Sequence, residues 1–372
     1  MVVTNITLGE VGDELGPAKI LYLRQQEPDL KACVVVDNVA CGPALGGVRM
    51  APDVTVEEVL RLARAMTLKN AAAGLPHGGG KAGIVADPAL PRPDKERLIR
   101  AFAQMIREFT DYIPGPDMGL NEESMAWIKD EIGRAVGLPR VLGGIPLDEI
   151  GATGFGLAVS AEVAAPYAAI TLRGARVAVQ GFGAVGIHAA RFLAQRGAKL
   201  VAASDSRGGV VDPSGLPLDA LIAHKKSGQS LITFQQGKAT KAPDIVGVDC
   251  DIWIPAARPD VLNEQNVGLL KARLVLQGAN IPATDAAEKW MQAHGVLNIP
   301  DFIANSGGVI CASVEYHGGT QAQAMAVIEE RIRSNTREVL DRARQMNCAP
   351  RDAAVEMATS RVREAQRYRR YS

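Results

Sequence analysis

The chain has 372 residues, 47% of them hydrophobic, and its 41 lysines and arginines balance 41 aspartates and glutamates. This length suits two domains, each with its own core, and zero net charge excludes a general attraction to nucleic acid or anionic lipid. The five scattered cysteines form no CxxC pair, which argues against disulfides and against a metal site. We expect a cytoplasmic protein, because the N-terminus lacks the pattern of a secretory signal and no apolar run reaches the ~18 residues of a membrane span.

The first helix should follow two extended segments that begin near residue 31. Thr55 and Glu58 fit a capping box, and Gly74 should end the helix. Its apolar residues recur at helical spacing on one face, and that face includes Lys69. A lysine on a buried face is costly unless it is paired, although it could also snorkel at the edge of the apolar stripe.

The segment "GLPHGGGKAGIVADP", residues 74–88, places Lys81 directly after three glycines. A phosphate-binding P-loop needs a glycine five residues before the lysine and a serine or threonine after it. Pro76 and Ala82 occupy those places, so the P-loop interpretation fails and the lysine needs another role. Further along, a second and a third helix should flank the tight turn "PGPDMG", which carries Asp117.

Residues 172–210 have the pattern of strand, glycine-rich turn, helix and strand. Such a turn binds dinucleotides: the first glycine permits a tight turn, the second lets the pyrophosphate approach, and the third lets helix and strand pack closely. Asp205 ends the second strand, where an acid binds the adenosine ribose. The alternative is an ordinary tight turn in an α/β unit. The residues of the turn are Gly181, Phe182, Gly183, Ala184, Val185 and Gly186.

Later short strands should end at small residues that face a ligand crevice, and residues 320–370 should form two or three long helices. In the first part of the chain, the unusual polar residues are Lys69, Lys81 and Asp117. One lysine could hold a carboxylate, the other could act as a base if desolvation lowers its pKa, and the aspartate could shuttle protons at an amine. A nicotinamide cofactor in the second part would supply hydride transfer.

Together, "MTLKN", "GGGKAGIVADP", "GPDMG" and "GFGAVG" resemble motifs of the glutamate/leucine/phenylalanine/valine dehydrogenase superfamily, from about residue 30 onward. The resemblance implies an α/β fold of two domains. A substrate-binding and oligomerisation domain would span residues 1–142, completed by helices within 330–372, and a Rossmann-type doubly wound dinucleotide-binding domain would span 143–329. It also implies a homo-oligomer that oxidatively deaminates an L-amino acid to a 2-oxo acid and ammonia.

The same resemblance implies residue roles. Lys81 would be the catalytic lysine, Asp117 the proton-transferring carboxylate, and Lys69 the anchor of the substrate α-carboxylate. The substrate pocket would include Leu45, Gly46, Gly47, Gly115, Val309 and Ala312. Besides the glycine-rich turn, the cofactor would contact Thr153, Asp205, Ala256 and Asn280.

In glutamate-specific members of this superfamily, a lysine stands at the position of Leu45 and a serine at that of Ala312. Without these partners a buried glutamate γ-carboxylate is disfavoured, so we expect an apolar, branched-chain or aromatic, substrate side chain. Glutamate is the alternative, because "GPDMGLNEESMAW" and the C-terminal helices look closer to glutamate dehydrogenases. A non-catalytic NAD-binding regulator is a further alternative. Asp205 should repel a 2′-phosphate, so we expect NAD rather than NADP.

Overall fold

The computed structural model describes residues 12–369. They divide into two compact units, of which the first comprises residues up to Pro146, 312–324 and those from Met357 onward, and the second comprises 147–311 and 325–356. Within residues 12–369, none of the helices combines the length and apolar character that a membrane crossing needs. Most of the N-terminal segment used to exclude a secretory signal lies outside the described residues.

A five-stranded sheet forms the centre of the first unit. The strands are β1 (Lys19–Gln25), β2 (Leu30–Asn38), β3 (Ala44–Ala51), β4 (Gly78–Val85) and β5 (Tyr112–Pro116), and the first helices are α1 (Val56–Ala72), α2 (Arg92–Met105) and α3 (Glu122–Ile132). In the order β1-β2-β4-β3-β5, the last three strands are parallel and β2 is antiparallel to both of its neighbours. Alternate residues of β2 join two cores, one shared with α2 and α3 and the other with α1.

The predicted first helix is confirmed as α1, in which Thr55 Oγ1 accepts a hydrogen bond from the backbone N–H of Glu58. Its buried face lies beside the predicted stripe, however, and Lys69 is half-buried at its edge. The reason is that this face packs on the glycines of β4, which leave room for small and polar residues. The buried residues of α1 include Val59, Ala63, Thr67 and Asn70.

The glycine run before Lys81 is part of strand β4. A Cβ added to Gly78 would lie 1.8 Å from the carbonyl oxygen of Asn38, and one added to Gly79 would lie 2.0 Å from the backbone nitrogen of Thr67. Side chains are therefore excluded on both faces of β4. This close packing explains why three glycines precede the lysine.

The second unit contains a seven-stranded sheet in the order β12-β11-β10-β6-β7-β8-β9. Its strands are β6 (Arg176–Gln180), β7 (Lys199–Asp205), β8 (Gly208–Val211), β9 (Lys238–Thr240), β10 (Ile252–Pro255), β11 (Leu274–Leu276) and β12 (Leu297–Ile299). The five strands from β12 to β7 are parallel. The order steps outward from β6 in both directions, which confirms the predicted doubly wound sheet.

Eight further α-helices follow α3 in the described part of the chain. They are α4 (Ala152–Ala164), α5 (Ala184–Gln195), α6 (Leu218–Lys226), α7 (Asp285–Ala293), α8 (Asp301–Ala304), α9 (Gly307–Tyr316), α10 (Gln321–Met346) and α11 (Pro350–Gln366). Most of α10 belongs to the second unit, whereas the sequence analysis assigned everything from residue 330 to the first domain. The reason is contact with α4: Thr336 donates to Ser160, and Arg333 pairs with Glu162.

Candidate active site

Lys81 and Asp117 meet in the first unit. Lys81 lies in β4 and Asp117 directly follows β5, and the Lys81 Nζ is 2.6 Å from the Asp117 Oδ2. Gly47 lies on β3, between these two strands, and a Cβ there would approach within 2.8 Å of the Asp117 Cβ and 3.2 Å of the Lys81 Nζ. The predicted pair is thus formed, and a glycine on the intervening strand leaves the space in which it forms.

Burial dominates the electrostatics of this pair. The Lys81 side chain is only 8% exposed, and burial holds its pKa below the usual 10.5 even though Asp117 acts in the opposite direction. Burial would raise the pKa of Asp117, but the positive charges of Lys81 and Arg49 outweigh it and lower that pKa. Lys81 therefore loses its proton more readily than a surface lysine, while Asp117 stays ionised.

Arg49 is a third member of the cluster that sequence reasoning missed. Its Nε lies 3.2 Å from the Asp117 Oδ2, and its guanidinium also pairs with Glu58. The carboxylate of Glu58, predicted to complete the capping box, thus binds Arg49. The signal was available in "GGVR", where the arginine follows the glycines on the same strand.

Two further buried residues hold the backbone of β3 in place. Asn70 donates through Nδ2 to the carbonyl oxygens of Leu45 at 3.1 Å and Gly78 at 2.7 Å. Among the described residues, its Oδ1 has no hydrogen-bond partner, although a buried acceptor without a partner is costly. The hydroxyl of Tyr112 donates to the Gly46 carbonyl at 2.9 Å. Asn70 directly follows Lys69 in "MTLKN", which was the signal for it in the sequence.

Lys69 lies in the last turn of α1, half-buried. This helix packs on β4, the strand that carries Lys81. The predicted anchor and the predicted catalytic lysine are therefore on adjoining elements of the same unit.

The predicted side-chain pocket is apolar in this structure. Leu45, Ile113, Val136 and Ala312 form one buried cluster, and a Cβ on Gly115 would lie 3.0 Å from Val136 Cγ2. Val309, also predicted to line the pocket, is half-buried on α9 within the second unit. The structure thus brings Leu45 and Ala312 together, as the sequence interpretation required.

The glycine-rich turn of the second unit has the geometry that dinucleotide binding requires. Gly181 has a φ of +95°, and a Cβ on Gly186 would lie 2.1 Å from the Gly181 carbonyl oxygen. A Cβ on Gly183 would meet nothing within 4 Å, so the backbone is open to a ligand, and α5 begins one residue later. This opening at a helix N-terminus fits a pyrophosphate.

The other predicted cofactor residues lie in the same unit. Ala256 and Asn280 follow β10 and β11, and Thr153 lies at the start of α4. The carboxyl ends of parallel strands are where doubly wound sheets bind dinucleotides. The Phe182 side chain is buried, so only its backbone could face a cofactor; Ala184 is exposed and Val185 half-buried.

Asp205 ends β7 as predicted, but its carboxylate is occupied. The Oδ2 accepts from Lys225 Nζ at 2.7 Å and from the Leu231 N–H at 3.1 Å. The Oδ1 accepts from the Arg207 N–H and from Ser230 Oγ, each at 3.0 Å. Burial alone would raise its pKa, but these donors lower it to about 2.

Several curated proteins are similar to this chain. "Glutamate dehydrogenase" of Aeropyrum pernix is 40% identical over 89% of this chain and 85% of its own length. "NADP-specific glutamate dehydrogenase" of Saccharolobus shibatae is 39% identical over 75% of this chain and 69% of its own. "NAD-specific glutamate dehydrogenase" of Staphylococcus aureus is 36% identical over 89% and 84%, respectively.

Solved structures share the fold as well. A hetero-hexameric glutamate dehydrogenase of Thermus thermophilus, in a form with leucine bound, is 30% identical with a TM-score of 0.84, over 94% of this chain and 89% of that one. L-tryptophan dehydrogenase of Nostoc punctiforme is 26% identical with a TM-score of 0.74, over 95% and 98%.

Two family models cover most of the chain. The model for the Glu/Leu/Phe/Val dehydrogenase dimerisation domain matches residues 24–134, and the model for Glutamate/Leucine/Phenylalanine/Valine dehydrogenase matches residues 143–370. The chain therefore belongs to the Glu/Leu/Phe/Val dehydrogenase family and is an amino-acid dehydrogenase that uses a nicotinamide cofactor.

Proposed function

We propose that the protein oxidatively deaminates an L-amino acid and that Lys81 and Asp117 carry the proton transfers. The observation that supports this most is the 2.6 Å contact between a buried ammonium and a carboxylate, beside a glycine that keeps the space around them open. A bound nicotinamide would accept the hydride from the substrate Cα. The protein must then bind the substrate and direct water to the iminium carbon.

Each polar group of the site has a role in this proposal. Neutral Lys81 removes a proton from the attacking water, which burial makes possible by lowering the pKa of its ammonium. Asp117 takes up and returns protons at the nitrogen while the carbinolamine breaks down to ammonia and the 2-oxo acid. Lys69 binds the substrate α-carboxylate. Arg49 keeps Asp117 ionised and oriented.

The names of the curated relatives favour L-glutamate as the substrate. These proteins are up to 40% identical to this chain and are called glutamate dehydrogenases. They give no support to the branched-chain or aromatic substrate that the sequence analysis preferred. Glutamate is therefore our first candidate.

One observation favours an apolar side chain as the second candidate. By the resemblance, Leu45 and Ala312 stand where glutamate-specific members of the superfamily have a lysine and a serine. Here both residues pack with Ile113 and Val136 in an apolar cluster. An ionised γ-carboxylate placed against this cluster would lose hydration without gaining a partner. The structural similarity to an L-tryptophan dehydrogenase is consistent with such a pocket.

A panel of L-amino acids with NAD and with NADP tests this proposal. The kcat/KM values should be highest for glutamate if the first candidate is correct, and highest for leucine, valine or phenylalanine if the second is. Reduction of neither cofactor by any amino acid would contradict the proposal in both forms.

The relatives include both NAD-specific and NADP-specific enzymes. Because these names support both cofactors equally, the proposal of NAD depends on the sequence pattern alone.

We also propose a homo-oligomer, supported by the match to a dimerisation domain over residues 24–134. Light scattering of the purified protein would measure its mass. A cytoplasmic location stays a prediction from the sequence.

A further inference from the structure

Asp117 begins a tight turn whose backbone sets the direction of its carboxylate. The carbonyl oxygen of Asp117 accepts a hydrogen bond from the Leu120 N–H at 3.0 Å. Gly119 has a φ of +84°, a conformation that suits glycine at the third position of a β-turn. The Met118 N–H donates to the Asp117 carboxylate. The contact between this carboxylate and Lys81 therefore depends on how well the turn is held.

Two elements outside the turn hold its backbone. On β3, the Met50 N–H donates to the Met118 carbonyl oxygen at 2.9 Å. On α2, the ammonium of Lys95 donates to the Gly119 carbonyl oxygen at 2.7 Å. A Cβ on Gly119 would lie 2.3 Å from the Met50 carbonyl oxygen, so the turn packs directly on β3. The turn is thus held by a strand on one side and by a lysine side chain from a helix.

Lys95 also binds the segment that follows β4. Its ammonium donates to the Pro88 carbonyl oxygen at 2.9 Å, shortly after β4 ends at Val85. Because β4 carries Lys81 and β5 leads into Asp117, one ammonium joins the segments that follow both strands of the pair. Hydrogen bonds from a charged donor are about twice as strong as neutral ones, and Lys95 is half-buried, which limits competition from water.

We propose that Lys95 is a positioning residue of the proton-transfer site, which holds the Asp117 carboxylate against Lys81 through the backbone of the turn at residues 117–120. This rests on the proposed function, in which Asp117 and Lys81 carry the proton transfers. Lys95 acts through the Gly119 carbonyl, two residues beyond Asp117. A displacement of about 1 Å at a reacting group can cost a hundredfold in rate. The contact from Met50 remains when Lys95 is replaced, so the expected loss is smaller, about tenfold.

Lys95→Met removes both hydrogen bonds and keeps an aliphatic stem of similar length. With L-glutamate, or with L-leucine if the wild type prefers it, kcat should fall by about tenfold. The KM for that amino acid should change by less than about twofold, because Asp117 acts after the substrate has bound. Lys95→Arg keeps donors for two carbonyl oxygens and should recover most of the rate.

Lys129→Met is the matched control. It removes an exposed lysine from the last turn of α3, in the same unit as Lys95. Since the Lys129 side chain is exposed at the end of a different helix, kcat and KM should both stay at the wild-type values.

Hydrogen–deuterium exchange of the full-length protein gives a second readout that needs no substrate. Because the Leu120 N–H is bonded within the turn, a peptide covering residues 117–121 should exchange about fivefold faster in Lys95→Met than in the wild type. Lys95→Arg should exchange like the wild type. A peptide covering β2 should exchange equally in all three proteins, whereas a general loss of stability would accelerate its exchange as well.

Two results would overturn the proposal. One is a kcat of Lys95→Met equal to that of the wild type. The other is a loss of rate that Lys95→Arg does not recover, with exchange at residues 117–121 unchanged. A wild type that oxidises no amino acid, although exchange of the turn responds to Lys95→Met as expected, would contradict the proposed function and not the contact of Lys95 with the turn.

Discussion

At the scale of single residues, the proposed proton transfers depend on how two cations share one carboxylate. Asp117 contacts both Lys81 and Arg49. The guanidinium of Arg49 lowers the pKa of Lys81 further, in addition to the larger effect of burial. In the proposed mechanism, Arg49 therefore helps Lys81 to act as a base, although a guanidinium does not itself exchange protons.

Removing Arg49 should shift the pH profile of the reaction. In Arg49→Gln the pKa of Lys81 should rise, so the pH at which kcat/KM reaches half of its maximum on the acidic side should move upward. Arg49→Lys keeps the positive charge and should show a smaller shift. The check is kcat/KM measured from neutral to alkaline pH for the three proteins. Superimposable profiles would show that Arg49 has no influence on the base.

Leu45→Lys tests the side-chain pocket. The new ammonium could pair with a γ-carboxylate, so the ratio of kcat/KM for glutamate to that for leucine should rise by about tenfold or more. Leu45→Met has a similar volume and no charge, and it should leave the ratio nearly unchanged. The steady-state rates of both variants provide the measurement. An unchanged ratio in Leu45→Lys would place the substrate side chain elsewhere.

Part of the candidate site could be predicted, because motif order indicated Lys81 and Asp117, which the structure brings to within 2.6 Å of each other. The structure added the contacts that no spacing encodes. Arg49 reaches Asp117 across 68 positions of the chain, and Lys225 reaches Asp205 across 20. Such pairings depend on how strands and turns are arranged, so the sequence around Asp205 does not reveal its ion pair with Lys225.

At the scale of elements, β4 determines how the site is built. Its glycines let Thr67 of α1 and Asn38 of β2 lie close to the strand. Glycine has low intrinsic β propensity, so this strand could not be recognised from composition, whereas the capped helix α1 and the strands flanking the GxGxxG turn could. Neighbouring elements, not local preference, make this segment extended.

Gly79→Ala should therefore destabilise the protein strongly. The added methyl group would lie 2.0 Å from the backbone nitrogen of Thr67, and backbone cannot give way as a flexible side chain can. We expect a loss of about 3 kcal/mol in the free energy of unfolding, seen as a lower Tm. Gly268→Ala is the control, because a Cβ there meets nothing within 4 Å. Equal Tm values for the two variants would contradict this account of β4.

At the scale of the whole molecule, the two units hold different parts of the candidate site. The first unit holds the charged cluster and the apolar cluster, and the second holds the glycine-rich turn with its open backbone. The doubly wound architecture was predictable because its pattern is local and repeated along the chain. The unit to which α10 belongs was not predictable, because the sequence of a long charged helix does not show what the helix packs against. In the structure, the hydrogen bond from Thr336 to Ser160 of α4 shows it.

The central claim is that Lys81 is the base of an amino-acid oxidation, and nicotinamide absorbance tests it most directly. Wild-type protein should reduce the cofactor with its best L-amino acid. Lys81→Ala should lose about a hundredfold to ten-thousandfold in kcat, while calorimetry shows that cofactor binding is kept. A Lys81→Ala rate equal to that of the wild type would contradict the claim.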